Sequence, residues 1–71
     1  MSFEEAIKQF VKSVLGNHEV DWEQTDLDRV FLKDTPLFIR MWNLTNTYID
    51  YTIYRPVGDA AEAVRDGYFT F

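Results

Sequence analysis

Catalytic chemistry in a protein this small has few starting points, and the candidates are quickly counted. The chain has one histidine, His18, no cysteine, and twelve acids against seven basic residues. Nucleophilic catalysis needs a nucleophile, a base within hydrogen-bond reach and a third group that orients the base. His18 follows a helical pattern and sits beside Glu19, where an imidazole is ordinarily a solvated residue favoured by the helix dipole. Glu19, Asp21 and Glu23 could nominally hold a divalent cation together with His18. A calcium loop counted from Asp21 fails, however: Asp26 stands where the turn glycine belongs and Leu32 where the bidentate glutamate belongs. Two carboxylates doing acid/base work need a concave site that excludes water, since only burial and close neighbours separate their pKa values. Three isolated glycines form neither a phosphate loop nor a dinucleotide fingerprint, so the sequence offers no nucleotide-binding motif. The expectation is a protein that is not an enzyme, with no catalytic residues, no metal and no cofactor.

Two other residue classes are placed suggestively. Glu19, Asp21, Glu23, Asp26 and Asp28 put five acids and no base into ten residues, in a chain whose formal net charge is −5. Such a run either solvates an edge and discourages edge-to-edge pairing, or steers the protein onto a basic partner. The second class is aromatic: six Phe, four Tyr and two Trp make up 17% of the chain. Direct nucleic-acid binding is disfavoured, because phosphate contacts need clustered Lys and Arg and the basic residues here are scattered.

The elements that must position these residues can be read from spacing. Phe3, Ala6, Ile7, Phe10, Val11, Val14 and Leu15 fall on one helical stripe. Ser2 with Glu5 is a capping box and Gly16 a helix end, which sets a helix over 3–15. The segment His18 to Glu23 alternates, with Val20 and Trp22 inward as in a short strand. Residues 26–33 read equally as a helical turn or a strand, with strand favoured for 29–33. A turn follows at Asp34-Thr35-Pro36. Residues 37–55 predict a β-hairpin about Thr45-Asn46-Thr47. A three-residue loop pairs Ile39 with Ile53 and Met41 with Tyr51; a two-residue loop pairs Trp42 with Tyr51 and Leu44 with Ile49. The first register gathers Leu37, Ile39, Met41, Ile49, Tyr51 and Ile53 against the helix. It leaves Phe38, Arg40, Trp42, Tyr48, Asp50, Thr52 and Tyr54 on the opposite face, to be covered by a later element or left open. Asp59 with Glu62 resembles a second capping box before Ala60, Ala61, Ala63 and Val64, which predicts a short second helix at 59–66 closed by Gly67; Tyr68 to Phe71 can add a last strand.

The expected fold is thus α+β: one domain over residues 1–71, an amphipathic helix packed on a small antiparallel sheet. No apolar run approaches a membrane span and the start is acidic and amphipathic, so the expected location is the cytoplasm. The expected function is that of a protein-binding module. Its candidate contact residues are the acids Glu19, Asp21, Glu23, Asp26 and Asp28 and the aromatics Phe38, Trp42, Tyr48 and Tyr54. A basic, nucleic-acid-binding protein is the partner such a surface suits, as for an inhibitor or nucleic-acid mimic encoded by a phage or mobile element as an anti-defence protein. The alternative is a small homodimer that associates through its aromatic sheet face.

Overall fold

The N-terminal helix forms where the spacing predicts it. In the computed structural model, which describes residues 2–71, α1 spans Phe3–Leu15. The Ser2 hydroxyl oxygen accepts from the Glu5 N–H at 3.2 Å, and Glu4 and Glu5 in the first turn and Lys12 in the last complement the helix dipole. Gly16 ends the helix at φ 88°, its N–H donating to the Lys12 carbonyl, while the Arg65 guanidinium donates to the otherwise free Val14 carbonyl at 3.0 Å. Ile7, Phe10 and Val11 are buried completely or nearly so.

The helix lies on a four-stranded antiparallel meander, β1 (Arg29–Phe31), β2 (Phe38–Leu44), β3 (Tyr48–Val57) and β4 (Ala60–Thr70), in the spatial order of the sequence. The ambiguous 26–33 region resolves into a turn and a strand. Val30 is fully buried, and Val20 bridges to Leu32 to lengthen the pairing by one position. The expected strand at 18–23 reduces to that single bridge, because residues 22–24 turn; Val20 and Trp22 nevertheless point to the core as the alternation requires.

The central hairpin uses both of the registers the sequence allows. Ile39 faces Ile53 and Met41 faces Tyr51, as for a three-residue loop, yet Leu44 faces Ile49, as for a two-residue one. A β-bulge at Trp42 absorbs the extra residue and keeps all six side chains on the helix side. Thr45 fixes the turn: its N–H donates to the Tyr48 carbonyl, and its hydroxyl oxygen accepts from the N–H groups of Thr47 and Tyr48. Leu37 precedes β2 and is only half-buried, outside the core that the other five residues join.

The predicted second helix at 59–66 does not form. Residues 60–70 are one strand, β4, which pairs with β3 from Tyr48 opposite Thr70 to Val57 opposite Ala60. Gly58 at φ 59° followed by Asp59 makes a tight two-residue turn of the kind that matches strand twist. The Ala-rich stretch has high helix propensity but only small alanines and one valine as its apolar stripe, and pairing with β3, interrupted by a bulge at Val64, supplies its backbone partners instead. Glu62 is therefore a cross-strand partner, its carboxylate accepting from Arg55 at 3.1 Å, and not part of a capping box. Gly67 ends no helix. It lies opposite Tyr51, and a Cβ there would fall inside the Tyr51 ring, against Cζ and the hydroxyl oxygen. That ring is held on its other side by Phe10 in an edge contact at 5.2 Å.

Every residue from Arg55 to Asp66 is exposed, so the ends of β3 and β4 project as a two-stranded ribbon beyond the helix. This accounts for the elongated shape, 36 × 21 × 20 Å.

Gly67→Ala should cost about 1–3 kcal/mol in denaturant unfolding, as overpacking does. In a Tyr51→Val background the same change should cost far less, because the ring that the methyl meets is gone. Equal costs in the two backgrounds would show that Gly67 matters for some other reason.

Candidate functional site

With α1 on one face, no helix or strand among the described residues lies over the sheet's other face. Strand register sorts its side chains into rows. Phe31, Phe38 and Tyr54 line up across β1, β2 and β3, and their rings stack at 5.5 and 5.3 Å. The next row is polar: Arg29, Arg40, Thr52 and Asp66, one from each strand. Beyond it lie Trp42 at the bulge, Asn43 opposite Asp50 and Tyr68 opposite Asp50, with Tyr48 stacked on Tyr68 at 5.2 Å. Trp42 is 56% exposed and Tyr68 60%, while the stacked rings shield one another to half burial.

The polar groups on this face are paired. Thr52 donates to Asp66 at 2.7 Å, which satisfies the hydroxyl of a buried residue. Asn43 donates to the Tyr48 hydroxyl and to Asp50, at 3.0 and 3.1 Å. Arg29 and Arg40 stand directly opposite each other, a like-charge pair that would repel. Asp28 relieves this: its carboxylate lies 2.9 Å from Arg29 Nη1 and 3.9 Å from Arg40 Nε.

All four aromatics singled out in the sequence, Phe38, Trp42, Tyr48 and Tyr54, share this face. Two more belong with them. Phe31 was obscured by the helix-or-strand ambiguity of 26–33, and Tyr68 by the assumption that β4 begins only after a helix. The signal for Tyr68 was present in the Gly58-Asp59 turn followed by Tyr68-Phe69 alternation.

The acidic segment has a different character from the bare charged edge that its spacing suggests. Asp21 accepts from the Glu23 N–H and the Gln24 side chain, and Asp26 accepts from the N–H groups of Asp28 and Arg29 at 2.8 and 2.9 Å. These are turn-building carboxylates. Glu19 pairs with Lys33 at 3.5 Å and Asp28 with the arginines, so of the five acids Glu23 alone has no side-chain partner among the described residues. His18 is not gathered with Glu19, Asp21 and Glu23. Its Nδ1 lies 3.0 Å from Asp34, a carboxylate that can only accept, which sets the Nδ1 proton. Among the described residues no group of three or more His, Asp or Glu is arranged to hold a metal ion, and no helix is long and apolar enough to cross a membrane.

Comparison with family models, with curated proteins and with solved structures finds no match to this chain. The site must be interpreted from its own geometry.

The Asp26 carboxyl is held below its ordinary value of 3.8, first by the Arg29 N–H and then by the Asp28 N–H, with desolvation opposing them and the Arg29 charge adding least. A carboxyl whose folded pKa is depressed stabilises the fold above its unfolded value and loses that contribution as pH falls through the folded one. Asp26→Asn keeps an acceptor oxygen but not the charge. Wild type should therefore melt above Asp26→Asn at neutral pH, with the gap closing as pH falls below 3.8. Thermal unfolding followed by circular dichroism across that range checks this, and a pH-independent gap would contradict it.

Proposed function

We propose that this chain is a non-enzymatic protein-binding module that docks through the outer face of its sheet. The observation that carries this is the pair of open aromatics, Trp42 and Tyr68, across one polar row from the Phe31–Phe38–Tyr54 stack, on a face that no helix or strand among the described residues covers. Exposed aromatic surface interleaved with polar groups is a feature of protein interfaces. Arg29, Arg40 and Asp66 run between the two groups of rings and Asp50 lies beside Tyr68, so hydrogen-bonding groups stand within the patch.

The acidic segment supports a basic partner. The hydrogen-bond partners of Asp21 and Asp26 are backbone N–H groups and the Gln24 amide, none of which carries a cancelling positive charge, so with Glu23 three acids remain within six residues without an ion-pair partner among the described residues. Fields of that sign speed encounter with a basic surface more than they tighten the complex. A nucleic-acid-binding protein is the class of partner that combines basic surface with aromatic-accepting grooves, and an inhibitor acting on it, of the anti-defence kind, is the role that size and charge suit. Trp42, not the acids, is then the anchor.

The second reading is self-association through the same face, favoured by its near-balanced charge, two arginines (Arg29, Arg40) against two aspartates (Asp50, Asp66). The free edge of β4 is poorly suited to that task. Its bulge at Val64 and the charged Glu62, Arg65 and Asp66 are the devices that keep edges from pairing.

A protein retained by the immobilised wild-type chain should be lost with Trp42→Ala, which at an interface anchor weakens binding by about 2 kcal/mol or roughly thirtyfold. Glu23→Lys should slow association and flatten its salt dependence without that loss. Retention indifferent to Trp42→Ala would remove the outer face from the account. Sedimentation velocity separates the homodimer, since a strict monomer into the high micromolar range excludes it.

A further inference from the structure

Lysine is distributed in this acidic chain in a way that the linear sequence hides. The chain has three lysines, Lys8, Lys12 and Lys33, and all of them line one open cleft on the helix side, together with the single histidine. Lys8 and Lys12 come from successive turns of α1. Lys33 comes from the segment after β1, and His18 from the loop between. Gly16 and Asn17 complete one wall and the half-buried Trp22 another, with Glu19 at the rim. Trp22 packs against the core, so its ring is a fixed surface and not a loose flap. The cleft holds about 440 Å³, within the range of small-molecule sites.

The cations are available to a ligand. Lys8 bonds Glu4 at 3.3 Å and Lys33 bonds Glu19 at 3.5 Å, but both pairs are solvent-exposed and of little worth. Lys12 has no ion-pair partner among the described residues. Asp34 fixes the His18 ring through Nδ1, and Nε2 is left without a partner among the described residues. No bound group is needed to hold the lysines near one another; the fold alone does so, at the cost of mutual repulsion that an anion would relieve.

Charge also limits the size of that anion. The surrounding surface is negative, with Glu19 at the rim, Glu4 and Asp34 bonded to Lys8 and His18, Asp21 and Glu23 on either side of Trp22 in the chain, and a net charge of −5 overall. A polyanionic strand running out of the cleft would meet repulsion on leaving it. A compact anion would not. The aromatic wall adds a stacking surface for a planar ring.

We propose that this cleft binds a small phosphorylated ligand carrying a planar ring, of the mononucleotide class, with Lys8, Lys12 and Lys33 on the phosphate and Trp22 against the ring. The proposal is independent of the docking surface on the other side of the sheet.

The test uses the full chain with Trp42→Phe, which leaves Trp22 as its one tryptophan, and titrates AMP, adenosine and inorganic phosphate separately at low salt. AMP should quench Trp22 emission saturably, with a midpoint of about 0.1–1 mM, and should shift backbone amide resonances of residues 8–22 and of Lys33. Adenosine and phosphate alone should each bind about tenfold more weakly or worse. Lys12→Gln with Lys33→Gln should raise the AMP midpoint by about tenfold while melting at the temperature of the parent. The proposal is overturned by no saturable change up to about 10 mM AMP, by shifts that map to another surface, by adenosine or phosphate matching AMP, or by an unchanged midpoint in the lysine variant. If the double variant fails to fold, Lys12→Gln alone carries the same comparison.

Discussion

The fold turns on a contact of three residues: the Tyr51 ring lies over the bare backbone of Gly67 and meets the edge of Phe10 from the helix. Phe69, also on β4, tilts against the same Phe10 ring at 5.4 Å. This arrangement joins α1, β3 and β4 where the core is thickest, and it requires a glycine on the strand that the local sequence makes look helical. A single helix can cover only one face of a four-stranded sheet. Once α1 has buried Ile7, Phe10 and Val11 against Ile39, Met41, Ile49, Tyr51 and Ile53, the described residues hold no second helix for the other side. The aromatic outer face is thus a direct consequence of how the chain spends its one amphipathic helix.

What was legible in the sequence follows the range of the forces involved. The helix at 3–15 is specified by its own residues, since the Ser2 cap, the apolar stripe and the Gly16 end all act within a few positions of one another. The 59–66 segment is specified by a partner strand up to fourteen residues away. Ala60, Ala61 and Ala63 favour helix locally, but a helix there would have presented only alanines and one valine as its apolar stripe. Pairing with β3 instead gives the segment partners at six register positions. The central hairpin falls between these cases: alternation identified which residues face inward, but not the bulge at Trp42 through which both candidate registers coexist.

The candidate sites follow the same rule. Phe38, Trp42, Tyr48 and Tyr54 could be grouped from alternation within one hairpin, whereas adding Phe31 and Tyr68 required knowing that strands on either side continue the sheet. The acids were visible as a run, but their bonds were not. Asp21 and Asp26 turn the chain, and Asp28 makes the opposed Arg29 and Arg40 tolerable, so part of the apparent excess charge is structural. The lysine cleft was illegible for the opposite reason, since residues 8, 12 and 33 become neighbours only when the helix lies on the sheet.

Charge ends up sorted by surface in a way that net charge conceals. Three of the arginines serve the sheet, Arg29 and Arg40 on its outer face and Arg55 bracing the projecting ribbon through Glu62, while Arg65 reaches from β4 to close the end of α1. The lysines serve the helix side. Arginine's planar fork holds fixed geometries in competition with water, and each arginine here has a structural partner; lysine's flexible ammonium is the better residue for a partner that comes and goes. Between the two sides runs the acidic loop, which would repel an anion moving from the cleft toward the sheet face and attract a basic protein approaching that face. The two surfaces are therefore electrostatically separate, and a small anion held by the lysines can leave the aromatic face free for its own partner.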